Sequence, residues 1–155
     1  MNNEYFMKLA LEEAKKAYKL GEIPVGAIIT KGNEIISTGY NKRETGKNAL
    51  FHAETEAIFK ACEKLGGWRL WECTLYVTLE PCPMCAGAIV NARIPNIYFG
   101  AYDVKNGACG SAVNLLKMNE NYRPKCTGGI LEDECSKIIK DFFVELRKKA
   151  KADNT

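Results

Sequence analysis

Four residues of this 155-residue chain have types and spacing that could do chemistry: His52, Glu54, Cys82 and Cys85. Cys82 and Cys85 lie in Pro81-Cys82-Pro83-Met84-Cys85. Side chains three positions apart share a face if they lie on a helix, so both thiolates can grip one ion. His52, the one histidine of the chain, would be the third ligand. Two thiolates and an imidazole suit Zn²⁺, and three protein ligands leave the fourth tetrahedral position for water, the mark of a catalytic rather than a structural site. A spacing of two is poor for His52 and Glu54 to ligate one ion from a regular helix, so the Glu54 carboxylate is cast as a neighbour reaching the open position. Each half of the set has other readings when taken alone. Cys-x-x-Cys at a helix start also fits a thioredoxin-like redox pair, and a lone histidine is commonly a hydrogen-bonded core or cap residue. A redox pair accounts for neither His52 nor Glu54.

The elements that must position these residues follow from periodicity. Phe6, Leu9, Ala10, Ala14 and Ala17 recur at helical spacing, which predicts an amphipathic helix over 3–20 stopped at Gly21. Residues 25–30 read as a strand, 31–33 as a turn and 34–39 as the return strand of a hairpin. A polar loop over 40–51, with Asn41, Lys42, Arg43 and Lys47, leads to the histidine. The pattern over 52–65 is helical and ends at Gly66-Gly67, which places His52 and Glu54 in its first turn. Residues 74–79 form a strand, and a helix begins near Cys82 and runs to about Arg93. Both halves of the site therefore sit at helix N-termini, where aligned amides favour thiolates. A short strand over 96–101, a glycine-bearing loop over 102–110, a short helical segment over 111–117 and an irregular stretch over 118–125 follow. From Leu131 an apolar stripe through Cys135, Ile138, Ile139, Phe142, Phe143 and Leu146 predicts a last helix, acidic at its start and basic at its end as the helix dipole favours.

With 46% hydrophobic residues and no repeat, low-complexity tract or linker, the chain is expected to form a single domain with helices on both faces of a mixed sheet. The N-terminal segment interleaves Glu and Lys with apolar residues, unlike a signal peptide or membrane span, so a cytoplasmic protein with no membrane partner is expected. Seven cysteines without an export signal argue for reduced thiols and no structural disulfide. A net charge of +3 neither establishes nor discourages a nucleic-acid partner.

His-x-Glu followed by Pro-Cys-x-x-Cys is the known signature of zinc-dependent nucleobase deaminases. The resemblance extends to Gly21-Glu22-Ile23-Pro24-Val25-Gly26-Ala27, Asn41, Leu75 to Ala88, Phe99-Gly100-Ala101, Asp103 to Ser111 and Asp141-Phe142-Phe143. Over these segments the chain resembles the bacterial tRNA adenosine deaminases, which convert the wobble adenosine of an anticodon to inosine, and more broadly the cytidine deaminase superfamily. The resemblance implies an α/β fold, three-layer α-β-α with a central mixed five-stranded sheet. It implies one Zn²⁺ per chain on His52, Cys82 and Cys85, with Glu54 as catalytic proton shuttle. Substrate contacts are implied at Asn41, Ala53, Asp103, Lys105, Phe142 and Phe143, and a tRNA anticodon stem-loop and a homodimer as partners. Lys42, Arg43, Lys105, Arg147 and Lys148 are the candidate phosphate contacts. Phe51, Tyr102 and Tyr122 depart from the family pattern and bear on substrate shape, since none removes a ligand or the shuttle. The competing expectations are a deaminase of a free nucleobase or nucleoside such as guanine or cytosine, and a non-catalytic RNA-binding protein with a structural metal. Glu54 argues against the latter.

Overall fold

The computed structural model describes residues 2–153. Helix α1 (Asn3–Lys19) starts where the Asn2 side chain accepts a hydrogen bond from the Tyr5 amide, and it ends ahead of Gly21 at φ +78°. Its apolar stripe, Phe6, Met7, Ala10, Leu11, Ala14 and Ala17, is buried. The alanines bring α1 against strand β1 (Gly26–Lys31): a Cβ on Gly26 would fall 2.0 Å from the Ala10 carbonyl oxygen and 2.4 Å from the Ala14 nitrogen. Both neighbours are backbone and cannot swing aside. Gly26→Ala is therefore expected to cost about 1–3 kcal/mol or more of stability, read as a lower urea midpoint at unchanged slope.

β1 pairs antiparallel with β2 (Glu34–Tyr40) and with β3 (Cys73–Leu79), while β4 (Asn96–Ala101) and β5 (Lys125–Thr127) add in parallel, giving the order β2-β1-β3-β4-β5. Helices α2 (Ala53–Leu65) and α3 (Pro83–Ala92) cover one face, their Ala57, Ala61 and Ile89 packing with Ile29, Leu75, Val77 and Ile97. On the other face α1 and α4 (Glu132–Asp153) meet Ile28, Tyr76 and Ala101. The expected three-layer architecture with a mixed five-stranded sheet is thus the observed one. No described helix is long and apolar enough to cross a membrane.

Three local expectations are corrected. Residues 125–127, read as irregular or left unassigned, form β5, a short strand that pairs Lys125, Cys126 and Thr127 with Asn96, Ile97 and Tyr98. The expected helix over 111–117 shrinks to a 3₁₀ turn at Leu115–Lys117, because the backbone before it folds back: the Ala112 and Val113 amides both donate to the Gly107 carbonyl. Helices α2 and α3 begin at Ala53 and Pro83, so His52 and Cys82 are capping residues outside the first turn.

Candidate active site

Those capping positions build the site. Cys82 precedes Pro83, and the proline ring disfavours helical backbone in the residue before it. Cys82 is accordingly extended, at φ −74° and ψ 174°, while Cys85 lies in the first turn of α3. His52 is extended as well, at φ −93° and ψ 163°, with its amide donating to the Thr55 hydroxyl at 3.1 Å. The two helix starts thereby face each other across the end of β3. His52 Nδ1 stands 3.7 Å from Cys82 Sγ and 3.6 Å from Cys85 Sγ.

These separations test whether an ion fits. With Zn–N of about 2.0–2.1 Å and Zn–S of about 2.3 Å, a tetrahedral ion spaces nitrogen and sulfur ligands about 3.6 Å apart. The two nitrogen–sulfur separations match that spacing, and the three atoms lie within 4.8 Å of one another, so the group fits a tetrahedral N/S ion. Cys82 is pulled down to about 4, chiefly by a hydrogen bond from Cys85 and further by one with His52, against the opposing effect of burial. That sharing of a proton pushes the Cys85 thiol up, and the hydrogen bond with Cys82 raises His52. Glu54, at the second position of α2, is buried, and burial pushes its carboxyl up to about 7. A cation at the adjacent ligands favours its ionised form.

A cavity of about 350 Å³ opens onto this cluster, lined by Ile23, Val25, Asn41, Arg43, Ala53, Leu79, Glu80, Pro83, Asp103 and Asn106 together with His52, Glu54 and Cys82. Its volume lies at the small end of ligand pockets, which run from about 300 to 1,000 Å³. Asn41, Ala53 and Asp103, expected as substrate contacts, are among its lining residues. Asn41 is also tied into its own loop, donating to the Ile23 carbonyl at 3.1 Å and accepting from the Arg43 amide at 3.1 Å. Lys105, Phe142 and Phe143 do not line the cavity. Phe142 is buried with its ring edge-on to Tyr18 of α1.

The three unusual aromatics also stand outside the cavity. Phe51 belongs to an apolar surface formed by α2 and α3, and its ring lies over Gly46. Tyr122 is buried with its hydroxyl donating to the Ile94 carbonyl, and Tyr102 packs edge-on against Phe99 at 5.0 Å. None of them narrows the pocket. Asn106, Glu22 and Glu80 were not singled out beforehand. Asn106 and Glu80 line the cavity. Glu22 accepts from the Glu44 and Thr45 amides, which pins the loop that carries Asn41 and Arg43.

The chain matches the MafB19-like deaminase family model over residues 1–147. It is 49% identical over 151 residues to the tRNA-specific adenosine deaminase of Bacillus subtilis (strain 168), covering 97% of this chain and 94% of the relative. The chain belongs to the tRNA adenosine deaminase family. Among solved structures, a tRNA:A34 deaminase studied for A-to-I editing at the wobble position superposes with a TM-score of 0.83 at 41% identity, covering 86% of this chain and 98% of that one. A guanine deaminase from Bacillus subtilis gives 0.63 at 43% identity over 66% of each chain. The fold is the cytidine deaminase-like one, and this protein is a deaminase with a His/Cys/Cys group that could hold a metal.

Proposed function

We propose that this deaminase hydrolyses the wobble adenosine of a tRNA anticodon to inosine, with one Zn²⁺ held by His52, Cys82 and Cys85. The observation that carries the reading is the tetrahedral spacing of these ligands with Glu54 beside them in a pocket of nucleoside scale. A bound Zn²⁺ supplies Lewis-acid activation that makes water a competent nucleophile at neutral pH. Glu54 takes the proton of the water that adds to C6, delivers it to N1 of the ring and returns a proton to the amine that leaves as ammonia. The sum is adenosine plus water giving inosine plus ammonia.

The wobble base of an unpaired anticodon loop can be flipped into such a pocket, whereas a base in a duplex cannot reach it. Asn41, Ala53 and Asp103 contact the flipped nucleotide in this reading. Lys105 and Phe143, outside the cavity, meet the RNA beyond it. The similarity to a guanine deaminase favours a free nucleobase as the second reading. Against it, no residue of α4 lines the pocket, so the last helix does not seal the cleft from a polynucleotide. Incubation with an anticodon stem-loop bearing adenosine at the wobble position is expected to yield inosine. Intact RNA under conditions in which guanine or cytosine is deaminated would overturn the proposal.

The same reading takes the deaminase as a homodimer. Along α2 and α3 runs an apolar surface around a cavity of about 1050 Å³. Leu50, Phe51, Phe59 and Met118 on it are exposed by 61, 42, 66 and 74%. Clusters of this kind mark association surfaces, and a two-fold axis would cover one copy with another. Phe59→Glu is expected to shift the mass measured by light scattering from dimer to monomer. A monomeric parent protein at tens of micromolar would refute the homodimer.

A further inference from the structure

One buried carboxylate in the wall of the pocket has no part in the chemistry above. Glu80, 2% exposed, follows the last residue of β3. Its Oε1 accepts from the Asp103 amide at 3.2 Å and from the Ser111 hydroxyl. Its Oε2 accepts from the amides of Cys109 at 3.1 Å and Ser111 at 3.0 Å. Among the described residues it forms no ion pair with a basic side chain. All its partners come from one loop, 103–111, whose Asp103 and Asn106 form a wall of the pocket.

The loop is shaped to admit this carboxylate. A Cβ on Gly107 would stand 2.4 Å from Glu80 Cδ and 2.5 Å from its Oε2, so the glycine is what allows the loop to close around it. The Asp103 carboxylate turns back to accept from the Asn106 amide at 3.0 Å, which continues the fold of the loop from the anchored end. A buried carboxylate only accepts, and withdrawing its donors would leave a charge in the interior with no compensation. Opening the loop and stranding Glu80 are therefore one event.

We propose that Glu80 is a positioning residue: by gathering loop 103–111 around its carboxylate it holds Asp103 and Asn106 in place to receive the target nucleotide. It is the counterpart of Glu22, which pins the loop that carries Asn41 and Arg43. The inference rests on the deamination of an anticodon stem-loop proposed above. In Glu80→Gln one oxygen becomes an amide that faces N–H donors, so that half of the clamp is lost while the volume is kept.

The test is steady-state kinetics of Glu80→Gln and Ser111→Ala on the stem-loop, with zinc content and melting temperature measured alongside. Glu80→Gln is expected to raise KM by about tenfold and Ser111→Ala by about threefold, each with a smaller fall in kcat and an unchanged zinc content. Ser111→Thr, which keeps the hydroxyl, is expected to restore the parent KM. A fall in kcat, zinc content or melting temperature with KM unchanged in both variants would reduce Glu80 to a stabilising residue and overturn the inference. If Glu80→Gln does not fold, the Ser111 pair decides. Should the parent enzyme leave the stem-loop intact, the functional reading falls. Hydrogen exchange of the Cys109 and Ser111 amides then tests the clamp by itself, because rates unchanged by the Ser111→Ala substitution would refute it.

Discussion

Glu54→Gln is expected to lower turnover of the anticodon stem-loop by about 10²–10⁴-fold while leaving one zinc per chain and stem-loop affinity within about twofold of the parent. The magnitude is that of a positioned general acid-base group, and it sits at the upper end if the same carboxylate serves every proton transfer of the reaction. Glutamine keeps the shape of the side chain at the second position of α2, and Glu54 lies among none of the three ligands, so the donor set for the metal is untouched. The pocket walls that Asn41, Asp103 and Asn106 provide are untouched as well. Binding and chemistry should therefore separate cleanly. A Glu54→Gln protein that turns over within about threefold of the parent would remove Glu54 from the mechanism, and one that loses its zinc would make it a ligand.

The chemistry of this site was legible in the sequence to a greater degree than the structure that holds it. His52, Glu54, Cys82 and Cys85 stand in short local patterns, and the strands and helices flanking them have clear periods. Pro83 even encodes a detail that the helical reading of Cys82 and Cys85 passed over: it forces Cys82 out of the helix, so the two thiolates converge from a cap and a first turn. Glu22 and Glu80 were illegible for a physical reason. Apart from the Ser111 hydroxyl, their partners are backbone amides 22 to 31 residues away, and an amide is the same whatever side chain it carries, so little in the composition of either loop announces the carboxylate it surrounds. β5 was missed because three residues, with Cys126 flanked by Lys125 and Thr127, are too few to display an alternation. Phe142 and Phe143 are adjacent on a helix, and hydrophobicity alone does not say which turns inward. Of the two, Phe142 is the buried one, and its ring stands edge-on to Tyr18.

Removal of a ligand should be as damaging as removal of the shuttle, with a different signature. In Cys85→Ala the zinc content is expected to fall well below one per chain and stem-loop turnover by at least about 10³-fold, and added Zn²⁺ should not restore it, because two ligands cannot complete a tetrahedral catalytic centre. In the parent, by contrast, chelation should abolish activity and a stoichiometric return of Zn²⁺ should recover it. The variant is expected to stay folded. The core clusters on the two faces of the sheet contain none of His52, Cys82 and Cys85, so the packing that holds the fold should survive loss of the metal. Cys85 is fully buried at the start of α3, and alanine there removes only a sulfur. Melting should drop in the parent on chelation too, since any ion bound only by the native state stabilises it by mass action, and it should drop less in Cys85→Ala, which has little metal left to lose. Equal sensitivity of the two proteins to chelator would place the bound metal elsewhere and separate His52, Cys82 and Cys85 from the catalytic centre.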